Sequence, residues 1–425
     1  MLNVAAIRAA VASLAVSLLL GSGFAQRTQL ELWTFIDPSG DNVRSETLAH
    51  VIDTFEVANP SIDVVANVIQ WQELDPSLLR ASRANRVPDV AMLYSPSVPP
   101  HIAAGTLMPL TDYLAEWSQA DLEDTVILPQ SVGNDGTVYG LPWEMRVSGI
   151  MYRADQFEAA GRELPRSLQE LREAAVDLSR NDLVGVSLGF SPKAPSISAG
   201  WFLATLLGMG AEVINADGTA AFATPEAEEL VEWVHELVTE NEDALPQDVA
   251  LLGNEEAQQI FVAGNALMLP SSSQRLEFVR ENSANGDQIQ MMSYPTFELD
   301  QPAPALVQSW SAVIPRGAEN PDEAWAFIEH WTSTEMQVMQ ATQAGYIPVR
   351  RSALEDPWFE SDAAAAIIWA VEYAAEHPMD FDFPEDTNAL YDVWARMFER
   401  VLTGQMTAEE GLAWAESQYN QRIGD

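Results

Sequence analysis

Short segments with a period of two alternate along this chain with longer segments at helical spacing. Gln29–Phe35 (QLELWTF) alternates in the manner of a half-buried strand. Asp37-Pro38-Ser39-Gly40 breaks it, and a helix is predicted over 44–58, stopped by Asn59-Pro60. Ile62–Val68 reads as a second strand, 74–84 as a helix, and 88–94 as a third, buried strand. The next stretch, to Trp117, mixes helix and loop. The pattern then repeats. A helix over 167–179 opens with Ser167 and Glu170 at capping-box spacing. A strand is predicted over 183–189, helices over 199–209, 225–239 and 255–263, and a short apolar strand over 266–269. A Pro-rich stretch, 295–304, leads into the apolar run 306–314. Asn320-Pro321-Asp322-Glu323 starts a helix through Trp331, and the chain beyond Asp362 is almost wholly helical. Strands alternating with helices predict an α/β fold with parallel strand pairs.

Between the two halves lies Val138–Phe157, VYGLPWEMRVSGIMYRADQF. A polar loop, 134–136, leads into a β-like run that ends at Arg153, and Asp155 opens a helix. Pro142 has a fixed φ and no donor, which suits a crossover or a strand start. Trp143, Glu144 and Arg146 place an aromatic ring, a carboxylate and a guanidinium within four residues, the chemistry of a recognition surface.

Length and composition narrow the class. With 425 residues, two or three domains are expected. An apolar content of 47% fits a globular chain. Arg8, the apolar run Ala9–Leu20 and the small residues Gly23 and Ala25 predict a secretory signal cleaved after Ala25. The run is shorter than the roughly 20 residues of a spanning helix, so no membrane insertion is expected. No cysteine is present, which fits an exported protein without disulfides and excludes acylation at a cysteine. The formal net charge is −42, and Lys193 is the sole lysine. Such a surface repels nucleic acid and anionic lipid.

Several motifs dissolve on inspection. Gly185-Val-Ser187-Leu-Gly189 matches a nucleophile elbow, but the required helix after the serine is disfavoured by Pro192 and Pro195. The five histidines are scattered, so no metal site is expected. No phosphate-binding G-x-x-x-x-G-K-S/T occurs, and no cofactor is expected. A glycosidase needs only two carboxylates, and with 63 acidic residues such a pair stays open, Glu144 being the best placed.

Thirteen tryptophans are the richest functional signal. Sugar rings have apolar faces and a hydroxyl rim, so aromatic platforms flanked by polar side chains suit them. Trp233, Trp325, Trp331 and Trp414 sit in periodic helices and are expected in the core. Trp33 ends the first strand and Tyr94-Ser95 follow the third, where open α/β sheets bind ligands. Trp143, Trp201 and Trp310 are further candidates, each with core and cleft both open.

The crossover resembles that of the family 1 extracellular solute-binding proteins, the maltose-binding-like receptors of ABC sugar importers. The pattern is carried by Tyr139-Gly140-Leu141-Pro142-Trp143 and Tyr152-Arg153-Ala154-Asp155-Gln156-Phe157. Collinear pieces extend it over nearly the whole mature chain: 55–60 (FEVANP), 88–90 (PDV), 104–113 (AGTLMPLTDY), 222–227 (FATPEA), 261–268 (FVAGNALM), 320–328 (NPDEAWAFI) and 345–350 (GYIPVR). The resemblance implies a two-lobe periplasmic binding fold (type II), with a ligand cleft between lobes joined by crossing segments. The expected N-terminal lobe is 26–138 with 309–345, and the C-terminal lobe 139–308 with 346–425. It implies a monomeric, non-catalytic periplasmic receptor that captures a carbohydrate and delivers it to a membrane-embedded ABC permease. The implied contacts are Trp33, Asp37, Tyr94 and Ser95 from the first lobe. Trp143, Glu144 and Arg146 come from the crossover, with Trp310 in the return crossing. Trp201, Ser273, Gln274, Tyr346 and Tyr391 complete the set. Relatives usually carry an acidic or neutral residue where this chain has Arg146. That departure opens an alternative ligand class, an anionic sugar relative paired by Arg146.

Overall fold

This computed structural model describes residues 27–180, 183–193, 196–240, 244–246, 248–381, 383–384 and 386–424. The expected signal segment lies outside them. Among the described residues eight strands form the scaffold: β1 (Thr28–Thr34), β2 (Ile62–Val68), β3 (Val90–Tyr94), β4 (Gly140–Arg153), β5 (Val184–Val186), β6 (Ala266–Ser272), β7 (Ile289–Met292) and β8 (Val307–Val313). Their order is β2-β1-β3-β8-β4-β6-β5, with β7 also paired to β4. β1 runs parallel to β2 and β3, and β5 parallel to β6, as the alternation predicts. The pairs made by β4 and β8 are antiparallel.

β4 runs through both halves of the sheet. Its first half, Gly140 to Val147, pairs with β8. Its second half, Ser148 to Arg153, pairs with β6 and β7. Pro142 sits inside this strand, and the register slips between Pro142 and Glu144. The slip is the physical consequence of a residue that cannot donate to the ladder. Each lobe has its own core. Leu30, Leu32, Trp143 and Trp331 belong to one. Trp201, Phe202, Trp233 and Trp394 belong to the other.

Local chemistry explains several boundaries. Ser167 caps the helix Leu168–Leu178 by accepting from the Glu170 N–H at 3.2 Å. The return arm of the predicted box lands one residue earlier, because Glu170 accepts from the Arg166 N–H at 3.0 Å. Asn42 caps the helix Val43–Ala58, which carries Arg44 in its first turn. Among the described residues no helix is long and apolar enough to cross a membrane.

The nucleophile-elbow match is a packing device. Ser187 is fully buried and donates to the Ala257 carbonyl at 2.8 Å. A Cβ at Gly185 would collide with the backbone of Ala175, and one at Gly189 with that of Leu252. The two glycines therefore permit close backbone approach.

Candidate functional site

The site grows from the register of the two crossing strands. Glu144 stands opposite Trp310, and Arg146 opposite Gln308. Directly opposed residues share a face of a sheet. Arg146, Gln308 and Trp310 accordingly line one cavity between the lobes, about 500 Å³ in volume.

Its first wall is aromatic. The Trp310 ring lies 4.3 Å from that of Phe35 and 5.5 Å from that of Tyr94. The Arg146 guanidinium sits 5.5 Å from the centre of the Tyr94 ring. Burial pushes the Tyr94 hydroxyl up to about 12, with Arg146 opposing the shift. Trp71 and Gln72, at the start of the helix Trp71–Ala84, extend this wall.

The facing wall is polar and comes from the other lobe. Ser271 and Ser272 end β6, and Gln274 and Arg275 follow them. Arg275 is fastened to Glu255 by two bonds of 2.5 and 3.1 Å and to Gln258 at 3.3 Å. Lys193 and Asn254 complete this side. A smaller recess of about 230 Å³ adjoins the cavity at Trp71, Tyr94, Lys193 and Trp310, with Tyr391 and Asn388 in its lining.

Buried hydrogen bonds hold the frame. Glu144 is 1% exposed. Its Oε1 accepts from the Trp310 N–H at 2.9 Å and from Arg146 Nη2 at 2.5 Å. Arg44 donates through Nε to the Tyr346 hydroxyl at 2.8 Å. Burial works against the charge on Arg44, but Tyr346, Glu144 and Glu255 outweigh it and hold its pKa above the usual value. The Arg146 Nε, the Gln274 Oε1 and the second Glu144 oxygen are buried without a partner.

The structure brings Tyr94, Arg146, Gln274 and Trp310 together in the cavity and Tyr391 in the recess. Glu144, Ser95, Ser273 and Tyr346 stand behind the surface as supports. Ser95 accepts from the Ser309 N–H and Ser273 from the Val147 N–H, each at 3.2 Å. Both hydroxyls therefore tie the crossing strands to the loops around them.

Four expected contacts lie elsewhere. Trp143 is 1% exposed, stacked 4.9 Å from Trp331 and covered edge-on by Tyr346. The register slip after Pro142 turns its ring into the core of its lobe. Trp201 is 3% exposed and packs beside Trp233, because its helix is apolar on all sides. Trp33 donates to Glu31 at 2.7 Å, on the same face of β1. Asp37 closes an exposed turn by accepting from the Ser39 N–H and hydroxyl, which lowers its pKa. Of the four tryptophans expected in the core, Trp233, Trp325 and Trp331 are buried, and Trp414 is partly covered under Arg400.

Arg44, Trp71, Gln72, Lys193 and Arg275 escaped the sequence reading. Trp71 was findable, since it follows the second strand as Tyr94 follows the third. Lys193 was conspicuous as the sole lysine.

The profile of the bacterial extracellular solute-binding proteins matches residues 50–367. The chain belongs to this family. The mannitol-binding protein of Pseudomonas aeruginosa is 24% identical over 408 residues, covering 89% of each chain. The fold is similar to that of the maltose-bound MalE3 of T. maritima, with a TM-score of 0.81, 20% identity, and coverage of 93% of this chain and 100% of that one. It is also similar to the GacH receptor of Streptomyces glaucescens, whose structures include a complex with acarbose. There the TM-score is 0.79 at 20% identity, covering 94% of this chain and 99% of the receptor. This family member thus has the two-lobe architecture of those receptors. Among the described residues no group of three His, Cys, Asp or Glu could hold a metal ion.

Proposed function

We propose that this chain is a periplasmic receptor that captures a carbohydrate between its lobes and delivers it to an ABC importer. One observation carries the reading: a single interlobe cavity has an aromatic wall of Phe35, Trp310 and Tyr94 facing a wall of hydroxyls and amides. Rings take the apolar face of a sugar, and amides and hydroxyls take its rim. The mannitol-binding relative supports the same ligand class. The lobe limits would be 26–138 with 309–345 and 139–308 with 346–425, and the receptor would act as a monomer. Closure about β4 and β8 would convert solute binding into the form that docks on the permease.

The reading is of binding without turnover. Glu144 is committed to Trp310 and Arg146, which makes it a structural acceptor and not a free acid. Arg146 is neutralised by the same contact, so the pairing of a ligand anion by Arg146 loses its basis.

The test is tryptophan-fluorescence titration and thermal shift of the mature chain against a panel of sugars and polyols. Saturable binding with the sugar recovered intact supports the reading, because ligand raises apparent stability by mass action. Hydrolysis of an aryl glycoside that disappears in Glu144→Gln overturns it.

A further inference from the structure

The interlobe cavity is a cationic spot on a strongly acidic molecule. The chain carries 63 acidic residues against 21 lysines and arginines. Yet Arg44, Arg146, Arg275 and the sole lysine, Lys193, all line this one cavity. Two of these charges are already answered. Glu144 pairs with Arg146 at 2.5 Å and Glu255 with Arg275 at 2.5 Å. The other two are not. Arg44 gives its Nε to the neutral Tyr346 hydroxyl, and among the described residues it has no carboxylate partner. Lys193 is exposed to the cavity and likewise has no ion pair among the described residues. Against them stands Glu256, a lining carboxylate without an ion pair among the described residues. The balance leaves the cavity with one more free cation than free carboxylates.

The geometry points to a carbohydrate that carries an acidic group (carboxylate, sulfate or phosphate), held between Arg44 of one lobe and Lys193 of the other. This inference rests on the carbohydrate reading above and specifies its substrate class. The physical reason is desolvation. Lobes closing over a neutral sugar would strip water from both cations and give neither a direct carboxylate partner, Arg44 keeping only its bond to Tyr346 and the fields of Glu144 and Glu255, which is costly for an ion without a direct partner. An acidic group between them turns that cost into two charge-assisted hydrogen bonds. Because the two cations sit on opposite lobes, the same group favours the closed arrangement over the open one, the differential contact that closure requires. The unpartnered Gln274 Oε1, a buried acceptor, awaits a hydroxyl donor. The aromatic wall awaits a ring face. Both belong to a sugar body and not to a bare anion.

Calorimetric titration of the mature chain at neutral pH with matched pairs tests this: glucose with glucuronate, galactose with galacturonate, glucose with glucose 6-phosphate. At least one acidic member should bind about tenfold or more tighter than its neutral partner, the scale of one charged hydrogen bond. In Lys193→Gln, and separately in Arg44→Gln, that ratio should collapse toward one. Lys193 is exposed, and a thermal melt of each variant checks the fold. Acidic and neutral members binding alike, as they would if Lys193 paired with Glu256 on closure, overturns the inference and leaves the carbohydrate reading standing. A ratio that survives both substitutions overturns it as well. Binding by no sugar of either kind removes both.

Discussion

The crossing strands β4 and β8 carry a cavity on each face, and the two have opposite chemistry. The interlobe cavity, about 500 Å³, is lined by Arg146, Gln308 and Trp310. The cavity behind the crossing, about 400 Å³, is lined by Met145, Val147, Val307 and Ile347, with Phe381 and Phe383 beyond them. The residues alternate along the same two strands, so a period of two delivers polar groups to the front and apolar ones to the back. One strand pair thus presents opposite chemistry on its two faces. Its front is left with unpartnered polar atoms that a solute can satisfy. Its back is mostly apolar, with Gln130 and Arg351 among the lining residues.

The division breaks or holds under substitution. The largest effect should come from Trp143→Ala, which removes a ring stacked in the core and should cost about 3–5 kcal/mol in urea denaturation. Affinity of the folded fraction should change little. A variant that lost solute binding at full stability would return Trp143 to the cleft. Trp310→Ala should weaken solute binding at least about tenfold in fluorescence titration, roughly 1.4 kcal/mol or more, since it removes the centre of the aromatic wall. Unchanged affinity there would end the claim that this wall binds.

On the back face, Ala374→Leu should fill part of the apolar cavity and raise stability by about 1 kcal/mol. Solute affinity should stay within about twofold. A larger change would mean that the back cavity takes part in closure and that the two faces are coupled.

A further effect is alkaline. Burial raises the Tyr94 pKa from its ordinary 10 to about 12, so the folded chain keeps a proton that the unfolded chain releases. The contribution is full below pH 10 and lost as pH rises through about 12. Denaturation midpoints measured across that window should fall, and Tyr94→Phe should flatten the fall.

Much of the fold was legible. The strand Ile62–Val68 has the predicted limits, and Ser167 caps the helix that its spacing announced. The crossing segment, whose β-like run was expected to end at Arg153, is one strand, Gly140–Arg153. Pro142 was expected in a crossover or at a strand start, and it lies within the crossing strand β4, where the register slip absorbs it. The site was legible only in part. Tyr94 and Trp310 followed from strand ends and crossing position. Trp143 and Trp201 had the same credentials and are core, because composition does not say which way a ring turns.

The sequence alone determined the periodicities, the α/β alternation, the crossing segment and the acidic balance, because these depend on neighbours along the chain. Tertiary structure alone decided the site. Arg44, Arg146 and Lys193 are far apart in sequence, and only the pairing of β4 with β8 and the meeting of two lobes bring them to one cavity. Arg146 and Glu144 lie two residues apart on one face of β4, so their pairing is local, and it leaves the free positive charge to Arg44 and Lys193.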